Sequence, residues 1–136
     1  MVGAVVITHG NLGDELISAC HKIVGEMGPV KAISIGWDDD VDYSRSRIKK
    51  AIKEVNKGEG VLILTDMFGG TPTNISLSFL KEGEVEIVTG VNLPMLIKLV
   101  EFQREDMKLK QIATELKERG KKSIYVASEL LSATGR

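Results

Sequence analysis

The sequence predicts an α/β domain built as a doubly wound, mostly parallel sheet with helices on both faces. Two observations carry this expectation. Short runs of apolar and β-branched residues alternate along the chain with longer stretches whose apolar residues recur at helical spacing. The connections between them are short, so each helix must return right-handed over the sheet to begin the next parallel strand.

Residues 2–8 are apolar and β-branched enough for a strand buried on both faces. A helix follows, with Asn11 as its cap, Asp14 completing a box-like pair, and Leu12, Leu16, Ile17, Cys20, Ile23, Val24 and Met27 on one stripe. Gly28 and Pro29 end it. Residues 30–35 form the second strand, and Ile48, Ala51, Ile52 and Val55 mark a second helix with Lys and Arg on its wet side, closed by Gly58 and Gly60. A third strand at 61–65, a short helix at 72–80 and a fourth strand at 85–89 come next. Helices from about Pro94 and over 109–119, then a last strand at 123–127, complete the pattern. The expected organisation is one domain over residues 1–128 and a frayed tail at 129–136.

A net charge of −1, with 18 Lys and Arg against 19 Asp and Glu, gives no broad field toward nucleic acid or an anionic membrane. Any electrostatics that matter are local. Cys20 is the only cysteine and falls on an apolar helix face, which excludes an internal disulfide and fits a reducing compartment. No apolar run approaches the roughly 20 residues of a membrane span, and no basic region precedes the short N-terminal apolar stretch. A cytoplasmic, unanchored chain is expected.

Ligands of such sheets bind beyond the carboxyl ends of the strands, where adjacent crossovers leave in opposite directions. His9 stands at the end of strand one, in "VVITHGNLGDEL". With strand one beside strand three, in the flavodoxin-like order 2-1-3-4, the turn "TDMFGGTPTN" faces the same crevice. Asp66 can then accept from one ring nitrogen of His9, fixing the tautomer and leaving a lone pair on the other. Gly69 and Gly70 let bare amides approach a ligand, and Thr71 can cap a helix with Pro72 at its first position. A nucleophilic imidazole, a group that orients it and a cradle for an anion attached to it together describe a phosphohistidine site. Gly10 and Phe68 form its rim. Asn92 and Pro94, in "TGVNLPML" after strand four, form a wall of the crevice or an outer rim for docking. No G-x-x-x-x-G-K-[ST], no G-x-G-x-x-G after strand one and no acidic cluster for nucleotide-bound magnesium is present, so the phosphoryl group must come from another phosphorylated protein.

These three motifs, "THG", "DMFGGTPTN" and "GVNLPML", in this order and spacing, resemble the EIIA domain of the mannose-type (mannose, fructose and sorbose) sugar phosphotransferase system over essentially the whole chain. The resemblance implies a phosphocarrier without cofactor or metal. It takes a phosphoryl group from HPr onto His9, through Nε2, with Asp66 orienting the ring and Gly70, Thr71 and neighbouring amides binding the phosphate. It then passes the group to a histidine of EIIB, which serves the membrane partners EIIC and EIID. It also implies a homodimer in which the last strand pairs with the partner subunit's sheet. Phe68 stands where some relatives have Trp, and Thr73 where some have a larger aromatic, which alters the docking surface. Thr71 keeps the hydroxyl of a Ser found in others. No Ala/Pro-rich linker or EIIB domain follows, so a separate EIIB chain is expected, and such a subunit can also serve a regulatory circuit.

Blander readings stand beside these. A lone histidine at a strand end is more often structural, and a double glycine can simply shape a turn; the coincidence of both with Asp66 decides otherwise. His21 has no such company and is read as surface. Trp37 and the acidic run Asp38, Asp39 and Asp40 are read as a solvated helix entry, not a metal site. A receiver domain phosphorylated on Asp66 would need a pair of acids after strand one, where Thr8, His9 and Gly10 stand, and a lysine after the last strand. A flavin-type module would need more aromatic residues than the 4% present.

Overall fold

The computed structural model describes residues 1–133. Four strands, β1 (Gly3–His9), β2 (Val30–Ile35), β3 (Val61–Thr65) and β4 (Val85–Thr89), form one parallel sheet in the order β2-β1-β3-β4. Residues on β1 alternate between two cores, as the period of a strand requires. Ala4 and Val6, with Val2 just before the strand, join Leu62 and Leu64 on one face, while Val5 and Ile7 join Ile33, Ile35, Val61 and Ile63 on the other.

Helices cover both faces. On the first lie α1 (Leu12–Val24), α4 (Leu93–Arg104) and α5 (Leu109–Lys122), which contribute Cys20, Leu96, Leu99, Ile112 and Leu116 to that core. On the second lie α2 (Val41–Val55) and α3 (Thr71–Ser76), through Ile48, Ala51, Val55 and Ile75. A single 3-10 turn, Leu77–Phe79, extends α3, so the helix expected over 72–80 is split. Because α1 and α2 lie on opposite faces, the chain leaves β1 and enters β3 on opposite sides of the sheet. The crevice of a switch point therefore opens between the carboxyl ends of these two strands.

The start of α1 differs from expectation. The Asn11 side chain makes no capping bond. Instead Thr8, fully buried at the end of β1, accepts the Gly13 N–H on its Oγ1 at 2.8 Å. Asn11 and Asp14 face Ser34 on β2, whose Oγ lies 3.2 and 2.8 Å from their side-chain oxygens. The cap moves because the turn is tight enough to carry the helix amides back over the strand it has just left.

The expected fifth strand does not form. The helix expected over 109–119 runs on as α5 to Lys122, next to the start of the segment expected as the strand 123–127. Gly120 is buried against Met95, where a Cβ would lie 2.6 Å from the sulfur, so this glycine serves helix packing and not helix termination. Ile124, Tyr125 and Val126 then follow without regular structure and exposed, and among the described residues they pair with no strand of the sheet. A last helix, α6 (Ala127–Ala133), takes in the first part of the segment expected as a tail. Residues 134–136 of that tail lie outside the described residues. Among the described residues no helix is long and apolar enough to cross a membrane.

A candidate phosphohistidine site

The β1–β3 backbone ladder ends at the pair Ile7 and Thr65. Just past that point the His9 N–H donates to Asp66 Oδ2 at 2.9 Å, and the same oxygen lies 2.7 Å from His9 Nδ1. Asp66 Oδ1 accepts the Met67 N–H at 3.0 Å. A carboxylate has no proton to give, so the proton of this ring contact sits on Nδ1 and the lone pair is on Nε2. Partial burial pushes the Asp66 pKa up, but the backbone and ring donors of His9, its charge when protonated and the Met67 amide outweigh it. The carboxyl is held below the ordinary aspartate range. Both groups remain reachable, His9 23% and Asp66 11% exposed.

Gly70 sets the other edge of the ring. A Cβ built there would lie 2.7 Å from His9 Cε1 and 3.2 Å from Nε2, so only glycine lets the turn come this close. Nε2 is thus the nitrogen turned toward the double-glycine turn. Gly69 adopts φ 91°, which a side chain would strain. Thr71 is the first residue of α3, exposed, with Gly70 as the cap and Pro72 second. Its hydroxyl therefore does not cap the helix, contrary to the sequence reading.

The turn is stapled from below by Thr73. Its Oγ1 donates to the Met67 carbonyl at 2.6 Å, so the 2.6 Å contact with Thr65 Oγ1 is donated by Thr65. Both threonines are fully buried. Thr73 accordingly shapes the turn and is not part of a docking surface.

Of the expected rim, Gly10 is exposed at φ 53°, and its N–H donates to the Ile35 carbonyl at 3.0 Å. Phe68 is exposed over a groove beside β4. Asn92 caps α4 by accepting the Met95 N–H at 3.0 Å and reaches the Gly120 carbonyl through Nδ2. Pro94 is exposed in the first turn of α4. The loop that carries them is tied to the carboxyl end of β3, where the Val91 N–H donates to the Thr65 carbonyl at 2.9 Å. His21 is exposed and Cys20 buried, its thiol pushed up by desolvation.

One neighbour was missed. Trp37, in the loop after β2, stacks on the His9 ring with centroids 5.3 Å apart. The available signal was positional: in the order 2-1-3-4 the loop after strand two flanks the end of strand one, and the chain's one tryptophan sits there.

A family model described as the PTS system fructose IIA component, of the mannose-type EIIA class, matches residues 3–117. The chain belongs to the mannose-type EIIA family. It is 30% identical over 132 residues to the PTS system fructose-specific EIIA component of Bacillus subtilis (strain 168), across 96% of this chain and 90% of that one. It is 26% identical over 129 residues to the PTS system mannose-specific EIIAB component of Escherichia coli (strain K12), across 90% of this chain and 38% of that protein. Among solved structures, the phosphotransferase system component EIIA from Streptococcus agalactiae matches with a TM-score of 0.85 at 22% identity, covering 95% of this chain and 99% of that one. That last likeness speaks for the fold. The chain is thus an EIIA component of the mannose-type sugar phosphotransferase system, a protein of phosphotransferase type.

Proposed function

We propose that this EIIA component is a phosphocarrier that accepts a phosphoryl group on His9 Nε2 from the phosphohistidine of HPr and passes it to a histidine of an EIIB protein. The observation that carries this reading is the 2.7 Å contact between His9 Nδ1 and Asp66 Oδ2. It directs the free lone pair to Nε2, where a phosphorus atom can be approached in line. As the new N–P bond forms, the bond to the donor imidazole breaks and its electron pair returns to that ring. His9 keeps its Nδ1 proton and becomes cationic, and the Asp66 carboxylate offsets that charge. The Gly69 and Gly70 amides and the Thr71 hydroxyl receive the phosphate oxygens, while Gly10, Phe68, Asn92 and Pro94 lie on the rim met by the partners. Transfer to EIIB repeats these steps with His9 as leaving group.

The same reading includes a homodimer. β4 is the last strand of the sheet, and beside it runs a groove of about 370 Å³ bordered by Phe68, Leu77 and Leu80. The exposed apolar run Ile124, Tyr125 and Val126 of a second copy supplies a strand for that edge.

The test is to incubate the chain with phosphoenolpyruvate, enzyme I and HPr and to characterise the label. A label lost in acid, stable in base and absent from His9→Ala is expected. Labelling that persists in His9→Ala, or that is lost in base as an aspartyl phosphate is, removes the proposal.

A further inference from the structure

The loop between β2 and α2 holds a contact that the phosphocarrier reading leaves unused. The Trp37 indole stacks on the His9 imidazole at 5.3 Å between centroids and 30° between planes, yet the residue is 86% exposed. A large aromatic that far out of the core gains little from burial, so packing alone does not account for its place. The turn that carries it is tied at both ends. The Gly36 N–H donates to Asp39 Oδ2 at 2.7 Å, and Asp40 Oδ2 accepts the Tyr43 N–H at 3.1 Å to cap α2. The Ile35 carbonyl, just before the turn, accepts the Gly10 N–H at 3.0 Å, which joins its base to the residue after His9.

The imidazole is thereby enclosed by function: Asp66 holds the Nδ1 edge, Gly70 lies against the Cε1–Nε2 edge, and Trp37 covers a face. Phosphorylation at Nε2 with the Nδ1 proton retained makes the ring cationic. An aromatic face within about 6 Å attracts a cation, tryptophan most strongly. Spontaneous loss of the phosphoryl group ends that attraction. Water adds its oxygen to phosphorus, the Nε2–P bond breaks with its electron pair returning to the ring, and neutral imidazole and dihydrogen phosphate result. Trp37 therefore favours the phosphorylated ring over the free one.

We infer that Trp37 is a positioning residue that stabilises phosphorylated His9 by stacking on the ring, so that the phosphoprotein lives longer and the transfer equilibrium shifts toward this chain. The inference rests on His9 being the acceptor. Its test compares wild type, Trp37→Phe and Trp37→Leu, each labelled through phosphoenolpyruvate, enzyme I and HPr, freed of donor and followed for loss of label. Trp37→Leu is expected to lose its label about two- to five-fold faster than wild type, with Trp37→Phe in between and all three melting alike. Emission of Trp37, the only tryptophan, is expected to change on phosphorylation of the wild type. A Trp37→Leu phosphoprotein as long-lived as wild type overturns the inference, as does a Trp37→Phe one as short-lived as Trp37→Leu. Label that remains in His9→Ala removes the acceptor assignment and this inference with it, an outcome told apart by where the label sits.

Discussion

A single carboxylate oxygen of Asp66 meets both the backbone N–H and the ring Nδ1 of His9, so ring orientation and strand-end geometry depend on the same charge. The sign of its pH dependence follows. The folded pKa of Asp66 is depressed, so its contribution to stability is complete above the ordinary aspartate value and is lost as pH falls through the lower, folded value. The melting difference between wild type and Asp66→Asn is therefore expected to persist at neutral pH and to close only in strong acid. A gap that closes near pH 6 instead contradicts the assignment. Gly70→Ala tests the other side of the ring. Its Cβ would stand 2.7 Å from Cε1, so the imidazole or the turn must shift. A displacement of that kind is expected to slow phosphoryl transfer on the order of 100-fold while the fold survives. Single-turnover transfer from phospho-HPr measures it, and a wild-type rate would show that the turn does not define the ring's position.

Between residue and fold, the elements meet at hydroxyls. Thr73 Oγ1 donates to the Met67 carbonyl and accepts from the Thr65 hydroxyl, with both threonines fully buried. Thr73→Val keeps the volume but leaves the buried Thr65 hydroxyl without its acceptor and the Met67 carbonyl without its donor, at a cost of about 1–3 kcal/mol. Urea denaturation is expected to show that loss together with slower transfer, since the turn above the threonine holds Gly70. Stability unchanged within error would mean that water replaces the hydroxyl. This network also marks where sequence reasoning stopped. His9 and Asp66 were legible because one ends β1 and the other directly follows β3, and strand order alone brings those strand ends together. Thr8 and Thr73 were not, because an identical threonine can face solvent, cap a helix or lie in the core, and only the path of the turn decides which. Trp37 fell between these cases: its loop was placeable from the strand order, but the face it covers depends on how the Gly36 to Asp40 turn aims the side chain.

At the scale of the molecule, the misread last strand points to what a single chain leaves unfinished. β-Branched and aromatic residues at 124–126 satisfy every local preference for a strand, yet a strand is defined by its neighbour, and among the described residues these three pair with none. Meanwhile the free edge of β4 shows stopgap pairing. Lys81 bridges Val85, and the Ile87 N–H turns to the side chain of its own neighbour, Glu86 Oε1, at 2.9 Å. A carbonyl from an added strand would replace Glu86 there and release it to solvent. In the proposed homodimer each copy's residues 123–127 cover the other's β4, and the two contacts form together. Sedimentation equilibrium of the full chain is expected to give a dimer. Tyr125→Asp, which places a charge in the middle of the docking strand, is expected to weaken it by at least tenfold in Kd, because a buried unpaired carboxylate costs several kcal/mol. The same substitution sits on an exposed residue of the isolated fold, so helix content and phosphorylation of His9 should be retained. A wild-type chain that remains monomeric well above micromolar concentration, or a Tyr125→Asp chain that dimerises as tightly as wild type, would leave the apolar run and the open edge without each other as partners.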